Sequence, residues 1–375
     1  MPIPFIDLSS QYKSNKNAID KALKRVLNHG QYIMGPEVAE LESRLAEYIG
    51  VKHVLACSSG TDALVLPLMA KDVQKGDAIF TSPFTFFASA ESISLVGATP
   101  VFVDIDPDTY NLDVHDLQEK IEQVKKQGDL NPKGIIPVDL FGLAADYDAI
   151  QSIADTHNIF VLEDAAQSFG APYKGRKAGG LAEIGATSFY PAKPLGGYGD
   201  SGAVFTNDDV LYEKLVSLRV HGQAMSGDKY DNVRIGLNAR MDTIQAAVLL
   251  EKLKIYDEEL ERRNEVAAQY SRRLSSACKT PSIPEGYGSV WAQYTIQVND
   301  RSKLVADLGE QQIPTAVFYP TPIHLSTAYQ HLNYKEGDFA VSEAASHHVV
   351  SLPMHPYLES ETIDHICNAI LASID

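Results

Sequence analysis

Lys193 stands between Pro191 and Pro194 in the stretch SFYPAKPLGGYGDSGAVFT, residues 188–206, with Gly196, Gly197, Gly199 and Gly202 close behind it. A lysine ammonium has an ordinary pKa near ~10.4 and is a poor nucleophile at neutral pH. Desolvation or a neighbouring cation lowers that value, and the free amine then forms Schiff bases with carbonyls. The prolines restrict the backbone around the lysine, and the glycines allow close approach. Taken alone, the pattern fits a surface loop equally well.

Two more stretches carry chemistry. FVLEDAAQSFGA (160–171) ends an apolar strand in two acids and then turns. Ligands of open α/β sheets bind beyond the carboxyl ends of strands, which places Asp164 where a ligand sits and lets Gln167 face the same pocket. The acid also fits a simple helix cap. CSSGTDAL (57–64) reads as a turn into an apolar helix. Ser59, Gly60, Thr61 and Asp62 resemble a helix start, whose unpaired amides, hydroxyls and positive dipole end would cradle a phosphate. A capping turn without a ligand explains it too.

These residues need a scaffold, and the chain supplies one. Short apolar runs at 78–82, 99–105, 134–141, 159–164, 186–191 and 202–206 suggest strands buried on both faces. Helical patterns such as 38–49 and one within 140–157 alternate with them, giving the order of an α/β domain. Residues 241–277 lack Gly and Pro and read as one long or broken helix with a solvated charged face along EELERRNE. The expected division is an N-terminal arm and large domain over 1–245, a connecting helix over 246–277, and a small domain over 278–375 that contains a strand at 291–298.

Composition narrows the function. With 32 basic and 49 acidic residues the net charge is −17, which argues against nonspecific nucleic-acid binding. No window approaches the length of a membrane span, and MPIPFIDLSSQYK lacks the pattern of a signal peptide. Three widely spaced cysteines have no metal-site spacing and fit reduced thiols in a cytoplasm.

A phosphate cradle, a strand-end carboxylate and a loop lysine are together what pyridoxal 5'-phosphate requires, with the acid keeping the pyridine nitrogen protonated. The chain resembles the fold-type I sugar aminotransferases of the DegT/DnrJ/EryC1/StrS family. The resemblance runs through FIDLSSQY, GQYIMGPEVAELE, SSGTDAL, SPFTFFASAESI, GATPVFVDIDPDTYNLD, EDAAQSFGA, SFYPAKPLGGYGDSGAVFT, RIGLNARMDTIQAAVL and SLPMHPYL. It implies an α/β fold whose large domain has a mostly parallel central sheet flanked by helices, followed by a smaller C-terminal α/β domain.

The resemblance also implies roles. Lys193 would form the Schiff base with the cofactor, Asp164 would pair with the ring nitrogen, and Gln167 would meet the ring's hydroxyl side. Gly60, Thr61 and Ser188 would hold the phosphate, Phe86 would stack on the ring, and Asn238 would reach the phosphate in a neighbouring subunit, implying a homodimer with sites at the interface. Some relatives carry histidine in place of the lysine and act as dehydratases, so Lys193 favours transamination.

Within the family the chain most resembles the branch that aminates the 3-keto carbon of a UDP-linked 2-acetamido uronic acid, using L-glutamate, for surface polysaccharide such as O-antigen. A guanidinium grips a carboxylate bidentately, which makes Arg240 the candidate for the uronate, with a structural salt bridge as the alternative. His324 is a second candidate substrate contact, or a packed histidine of the small domain. Phe318 stands where the closest relatives are expected to carry histidine. Amination of a 4-keto-6-deoxy sugar and a non-catalytic regulatory role are the alternative functions.

Overall fold

The computed structural model describes residues 3–225 and 230–374 of the 375-residue chain. The elements begin with α1 (Leu8–His29), α2 (Pro36–Ile49), β1 (His53–Cys57), α3 (Gly60–Ala70), β2 (Asp77–Thr81) and α4 (Ala88–Leu95). They continue with β3 (Thr99–Phe102), α5 (Val114–Gln127), β4 (Asn131–Ile136), α6 (Tyr147–His157) and β5 (Phe160–Asp164). A ribbon of β6 (Pro172–Tyr173) and β7 (Arg176–Lys177) precedes β8 (Ile184–Ser188), β9 (Gly202–Thr206) and α7 (Asp209–Leu218). The remainder is α8 (Thr243–Leu253), α9 (Tyr256–Leu274), β10 (Tyr294–Gln297), α10 (Arg301–Glu310), α11 (Ala340–His348), β11 (Val349–Leu352) and α12 (Ser360–Ile374).

Seven strands form the central sheet in the order β1-β9-β8-β5-β4-β2-β3, and only β9 runs against its neighbours. Alternate side chains enter different layers. Leu55, Ile79, Ile136 and Leu162 pack with Leu64 and Leu68 of α3 and with α7. Phe80, Ile135 and Val161 face α5 and α6, while Val54 and Phe205 face α2 and α8. Both faces are covered, which is why these strands read as continuous apolar runs. β1 is an edge strand beyond the expected set, because its short run VLAC leads directly into the turn CSSG. The register brings Cys57, Gly202 and Ser188 into one row across β1, β9 and β8. It also sets Asp164 of β5 level with Ala186 of β8. The ends of β1, β5 and β8 therefore converge on one edge.

The stretch 241–277 is two helices. Tyr256 is buried and its hydroxyl donates to the Phe169 carbonyl at 2.8 Å, anchoring the start of α9 against the large domain. Asp257, Glu258 and Glu259 then occupy the first turn, where acids stabilise a helix N-terminus. The expected solvated face along EELERRNE needs correction, because Glu259 and Arg263 are 4% and 5% exposed. Glu259 accepts from Gln11 Nε2 at 2.8 and 3.0 Å and from Tyr357, and Arg263 donates to the Trp291 carbonyl at 3.0 Å. An i,i+4 pair of charges can turn inward when buried hydrogen-bond partners meet its charged ends.

The small domain packs β10, β11, α10 and α12 around the second half of α9. Ile3 joins that core and Phe5 accepts from Met354 N–H, so the arm lies against the small domain. Conversely, the segment around 287–290 returns to the large domain through bridges Tyr173–Tyr287 and Leu143–Ser289.

Candidate active site

The turn between β1 and α3 is built to receive an anion. Ser59 caps α3, its Oγ accepting from Asp62 N–H at 3.0 Å, and Ser58 donates to the Asp62 carboxylate. The amides of Gly60 and Thr61 have no acceptor among the described residues and sit at the positive end of the helix. A Cβ on Gly60 would lie 2.6 Å from Ser188 Cβ, and one on Gly202 would lie 2.4 Å from the Ser59 carbonyl. Glycine at these two positions is what lets the helix start close onto β8 and β9. Ser188 Oγ accepts from Tyr190 N–H at 3.2 Å, leaving its own proton to donate. Two free amides and the Ser188 hydroxyl thus lie at the same closely packed turn.

Asp164, at the end of β5, is 5% exposed. Its Oδ2 accepts from Ser89 Oγ at 2.8 Å and its Oδ1 from Ala166 N–H at 3.2 Å. Burial raises its pKa, while both hydrogen bonds and the charge of Lys193 act in the opposite direction. Each oxygen keeps a lone pair for a further donor. Gln167 accepts from Phe141 N–H at 3.0 Å and donates to Tyr319 Oη at 3.3 Å, which fixes which way its amide points. Behind it, the Asp139 carboxylate accepts from Ser168 Oγ at 2.6 Å, Tyr147 Oη at 2.8 Å and Ala145 N–H at 3.0 Å. The turn that carries Asp164 and Gln167 is thereby stapled to its neighbour.

Lys193 follows Ser188 in a tight loop. Its amide donates to the Tyr190 carbonyl at 2.8 Å, and Gly197 N–H donates to Phe189 O at 2.7 Å. Its Nζ has no hydrogen-bond or ion-pair partner among the described residues. Desolvation lowers its pKa, opposed by the negative charge of Asp164. A lysine held this way has its amine available for a carbonyl carbon.

The other expected residues fall in three places. Phe86 precedes α4 and is 58% exposed, and its carbonyl accepts from the N–H of Ser89, the residue whose hydroxyl meets Asp164. Asn238 and Arg240 flank Ala239, whose carbonyl accepts from Ser58 N–H at 3.1 Å, so their segment backs the anion turn. Arg240 Nε donates to Asn238 Oδ1 at 2.9 Å, and its Nη1 and Nη2 have no partner among the described residues. No hydrogen bond or ion pair joins either side chain to Lys193, Asp164 or Gln167 of the same chain.

His324 is placed as the packed histidine that the sequence allowed as the alternative to a substrate contact. It is 1% exposed, its Nε2 lies 3.1 Å from Glu343 Oε1, and its ring meets Phe339 edge-on with centroids 4.7 Å apart. Burial lowers its pKa against the pull of Glu343. It belongs to the packing under the turn before α11. Phe318 packs near Phe5 and beside Tyr319, with ring centroids at 6.4 and 5.8 Å. Ser89, Tyr319 and Asp139 were not singled out in the sequence. Ser89 lies three residues after Phe86 in SPFTFFASAESI, and Tyr319 lies in the TAVFYP segment, so a helical-spacing argument from Phe86 would have reached the first.

The residues present fit pyridoxal phosphate. The helix-start amides of Gly60 and Thr61 with Ser188 would hold its phosphate, the buried carboxylate of Asp164 would pair with its ring nitrogen, the exposed ring of Phe86 would stack, and the unpartnered amine of Lys193 would meet its aldehyde.

Residues 13–371 match the family model described as the DegT/DnrJ/EryC1/StrS aminotransferase family. The chain is 47% identical, over 98% of its length and 99% of the relative's, to the UDP-2-acetamido-2-deoxy-3-oxo-D-glucuronate aminotransferase of Pseudomonas aeruginosa. Its fold matches a crystal structure of a family aminotransferase from Brucella abortus with a TM-score of 0.96 and 49% identity, covering 99% of both chains. It also matches NtdA from Bacillus subtilis with bound pyridoxamine phosphate, at a TM-score of 0.88 and 28% identity, over 99% of this chain and 83% of that one. Family model, sequence relative and fold agree over nearly the whole chain: this chain belongs to the DegT/DnrJ/EryC1/StrS aminotransferase family, and it is a pyridoxal-phosphate-dependent sugar aminotransferase.

Proposed function

We propose that the enzyme transfers the amino group of L-glutamate to C3 of a UDP-linked 2-acetamido-3-keto uronic acid, a step toward diacetamido-glucuronate for surface polysaccharide such as O-antigen. The observation that carries this reading is the end-to-end similarity to the Pseudomonas aeruginosa enzyme named for that sugar. Arg240 adds chemistry to it. With Nε held by Asn238, its two Nη groups present the fork that a carboxylate accepts bidentately.

Bound pyridoxal phosphate supplies an electron sink for the carbon that loses its proton. Asp164 would hold a proton on the ring nitrogen, through the lone pairs that Ser89 and Ala166 leave open. Gln167, whose oxygen is occupied by Phe141 N–H, would meet the ring's hydroxyl side through its amide nitrogen, which also donates to Tyr319. Lys193 takes the proton from Cα of glutamate in the first half-reaction and returns a proton to C3 of the sugar in the second. Its lowered pKa suits an amine that must accept and release a proton near neutral pH.

A homodimer completes the site in this reading. Tyr230, Val233 and Ile235, in the segment leading to Asn238, are 82%, 55% and 86% exposed, and Tyr32 and Ile33 are about half exposed beside the start of α8. Such an apolar face supports contact with a second copy, which would bring Asn238 to the partner's cofactor phosphate. Among the described residues no helix is long and apolar enough to cross a membrane, and the cysteines are unpaired, which suits a cytoplasmic enzyme drawing on nucleotide-sugar pools.

The test compares kcat/KM for the UDP-3-keto uronate with that for a nucleotide-linked 4-keto-6-deoxy sugar, glutamate being the donor in both. Preference for the uronate supports the reading, and preference for the deoxy sugar overturns it.

A further inference from the structure

The glycine run behind Lys193 is gripped by one helix at two points. Gln245 and Lys252 of α8 are seven residues apart, about two helical turns, so their side chains share a face. Gln245 Oε1 accepts from Tyr198 N–H at 2.8 Å. A Cβ on Gly197 would lie 2.9 Å from Gln245 Oε1, and one on Gly199 would lie 2.7 Å from Gln245 Nε2. Their backbones do not enter the left-handed region, so what a side chain at either position would meet is the Gln245 amide itself, which would have to give way.

Lys252 makes the second grip. Its side chain is 1% exposed and its Nζ donates to the Gly196 carbonyl, which has no other donor among the described residues. No carboxylate lies within ion-pair distance of it among those residues, and its Nζ stands 5.0 Å from the centroid of the Tyr198 ring. An aliphatic side chain would fill the same space without burying a charge, but it would leave the Gly196 carbonyl unpaired. Gly196 is wedged under the turn that carries Lys193, since a Cβ there would lie 2.4 Å from the Pro191 carbonyl and 2.7 Å from that of Tyr190. Pulling on Gly196 therefore sets the height of the Tyr190–Lys193 turn.

We infer that Lys252, with Gln245, is a positioning residue for Lys193: α8 holds the glycine run so that the Lys193 amine stands where the cofactor aldehyde must meet it. The inference rests on Lys193 being the cofactor-bearing lysine and is independent of which sugar is aminated.

The experiment follows cofactor capture by apo-enzyme. Wild type, Lys252→Met, Lys252→Arg and Gln245→Met are mixed with pyridoxal phosphate, visible absorbance is followed, and borohydride-trapped Lys193 is counted by peptide mass. Thermal melting of each apo-protein runs alongside, and Lys193→Ala gives the zero of capture. Loss of one charged hydrogen bond is expected to slow capture by Lys252→Met about tenfold or more, with the melting temperature held or raised. Lys252→Arg, whose guanidinium can donate to the same carbonyl, is expected to recover most of the rate. Capture by Lys252→Met at the wild-type rate overturns the inference. So does a loss that Arg does not restore, or one that follows a fall in melting temperature. If Lys252→Met does not fold, Gln245→Met carries the test: slowed capture with an intact fold supports the inference, and wild-type capture overturns it. Failure here leaves Lys193 and its substrate untouched, because the Lys193→Ala control reads those separately.

Discussion

Ser89 and Asp164 are 75 residues apart in the chain, yet the hydroxyl of Ser89 lies 2.8 Å from Asp164 Oδ2 and is the side-chain donor to that buried carboxylate. Burial pushes the Asp164 pKa up, and this bond is the largest influence holding it down. Ser89→Ala removes that influence, so the pKa rises further and the acid limb of the kcat profile moves to higher pH. A charged hydrogen bond of about 1.5–3 kcal/mol corresponds to a loss of kcat of roughly tenfold or more near neutral pH, with KM for glutamate little changed. A pH–rate series on wild type and variant measures both; an unmoved limb contradicts this role for Ser89.

The contact between Gly60 and Ser188 makes a second prediction. Gly60→Ala forces a Cβ to within 2.6 Å of Ser188 Cβ, so the anion turn must shift. Overpacking of this kind costs about 1–3 kcal/mol, and cofactor affinity is expected to fall at least tenfold in a fluorescence titration. Adding Ser188→Gly removes the collision, so the double variant should regain stability beyond the sum of the single changes.

What the sequence revealed of this site, and what it hid, follows from how far apart the partners lie. Lys193, Asp164, Gln167 and Gly60 sit in short runs whose residue types state their chemistry. Ser89 and Tyr319 reach the site across 75 and 152 residues, and nothing local in SPFTFF or TAVFYP says which side chain will meet Asp164 or Gln167. The same limit hid the buried pair Glu259 and Arg263, since a charged helix reads as solvated until Gln11, Tyr357 and the Trp291 carbonyl are placed against it. The break between α8 and α9 has no glycine or proline to announce it; the bond from Tyr256 to Phe169 decides it. His324 was ambiguous for the opposite reason, because a histidine suits both a pocket and a packed core.

Lys252 gives a pH signature independent of catalysis. Burial pushes its pKa down to about 8 from an ordinary 10.5. Between those values the unfolded chain holds a proton that the folded chain has released, so this lysine's contribution to stability rises with pH across that window. Relative to Lys252→Met, wild-type apo-enzyme should gain up to about 3 kcal/mol from pH 8 to 10.5 in denaturant titrations. A constant difference between the two proteins would contradict this.

Arg240→Lys keeps the charge and removes the fork. If Arg240 grips the uronate, kcat/KM for that substrate falls about 10- to 100-fold, chiefly through KM, as expected for loss of a bidentate charged contact. The corresponding UDP-3-keto sugar with an uncharged C6 should be affected little. Equal loss on both substrates would assign Arg240 to structure instead.

Transfer of label from ¹⁵N-glutamate tests the central claim most directly. Wild-type enzyme incubated with the labelled donor and the UDP-linked 3-keto uronate is expected to deliver ¹⁵N to C3, and Lys193→Ala is expected to deliver none at comparable cofactor loading. Label arriving at wild-type rate without Lys193, or no label reaching the sugar from wild-type enzyme, would contradict it.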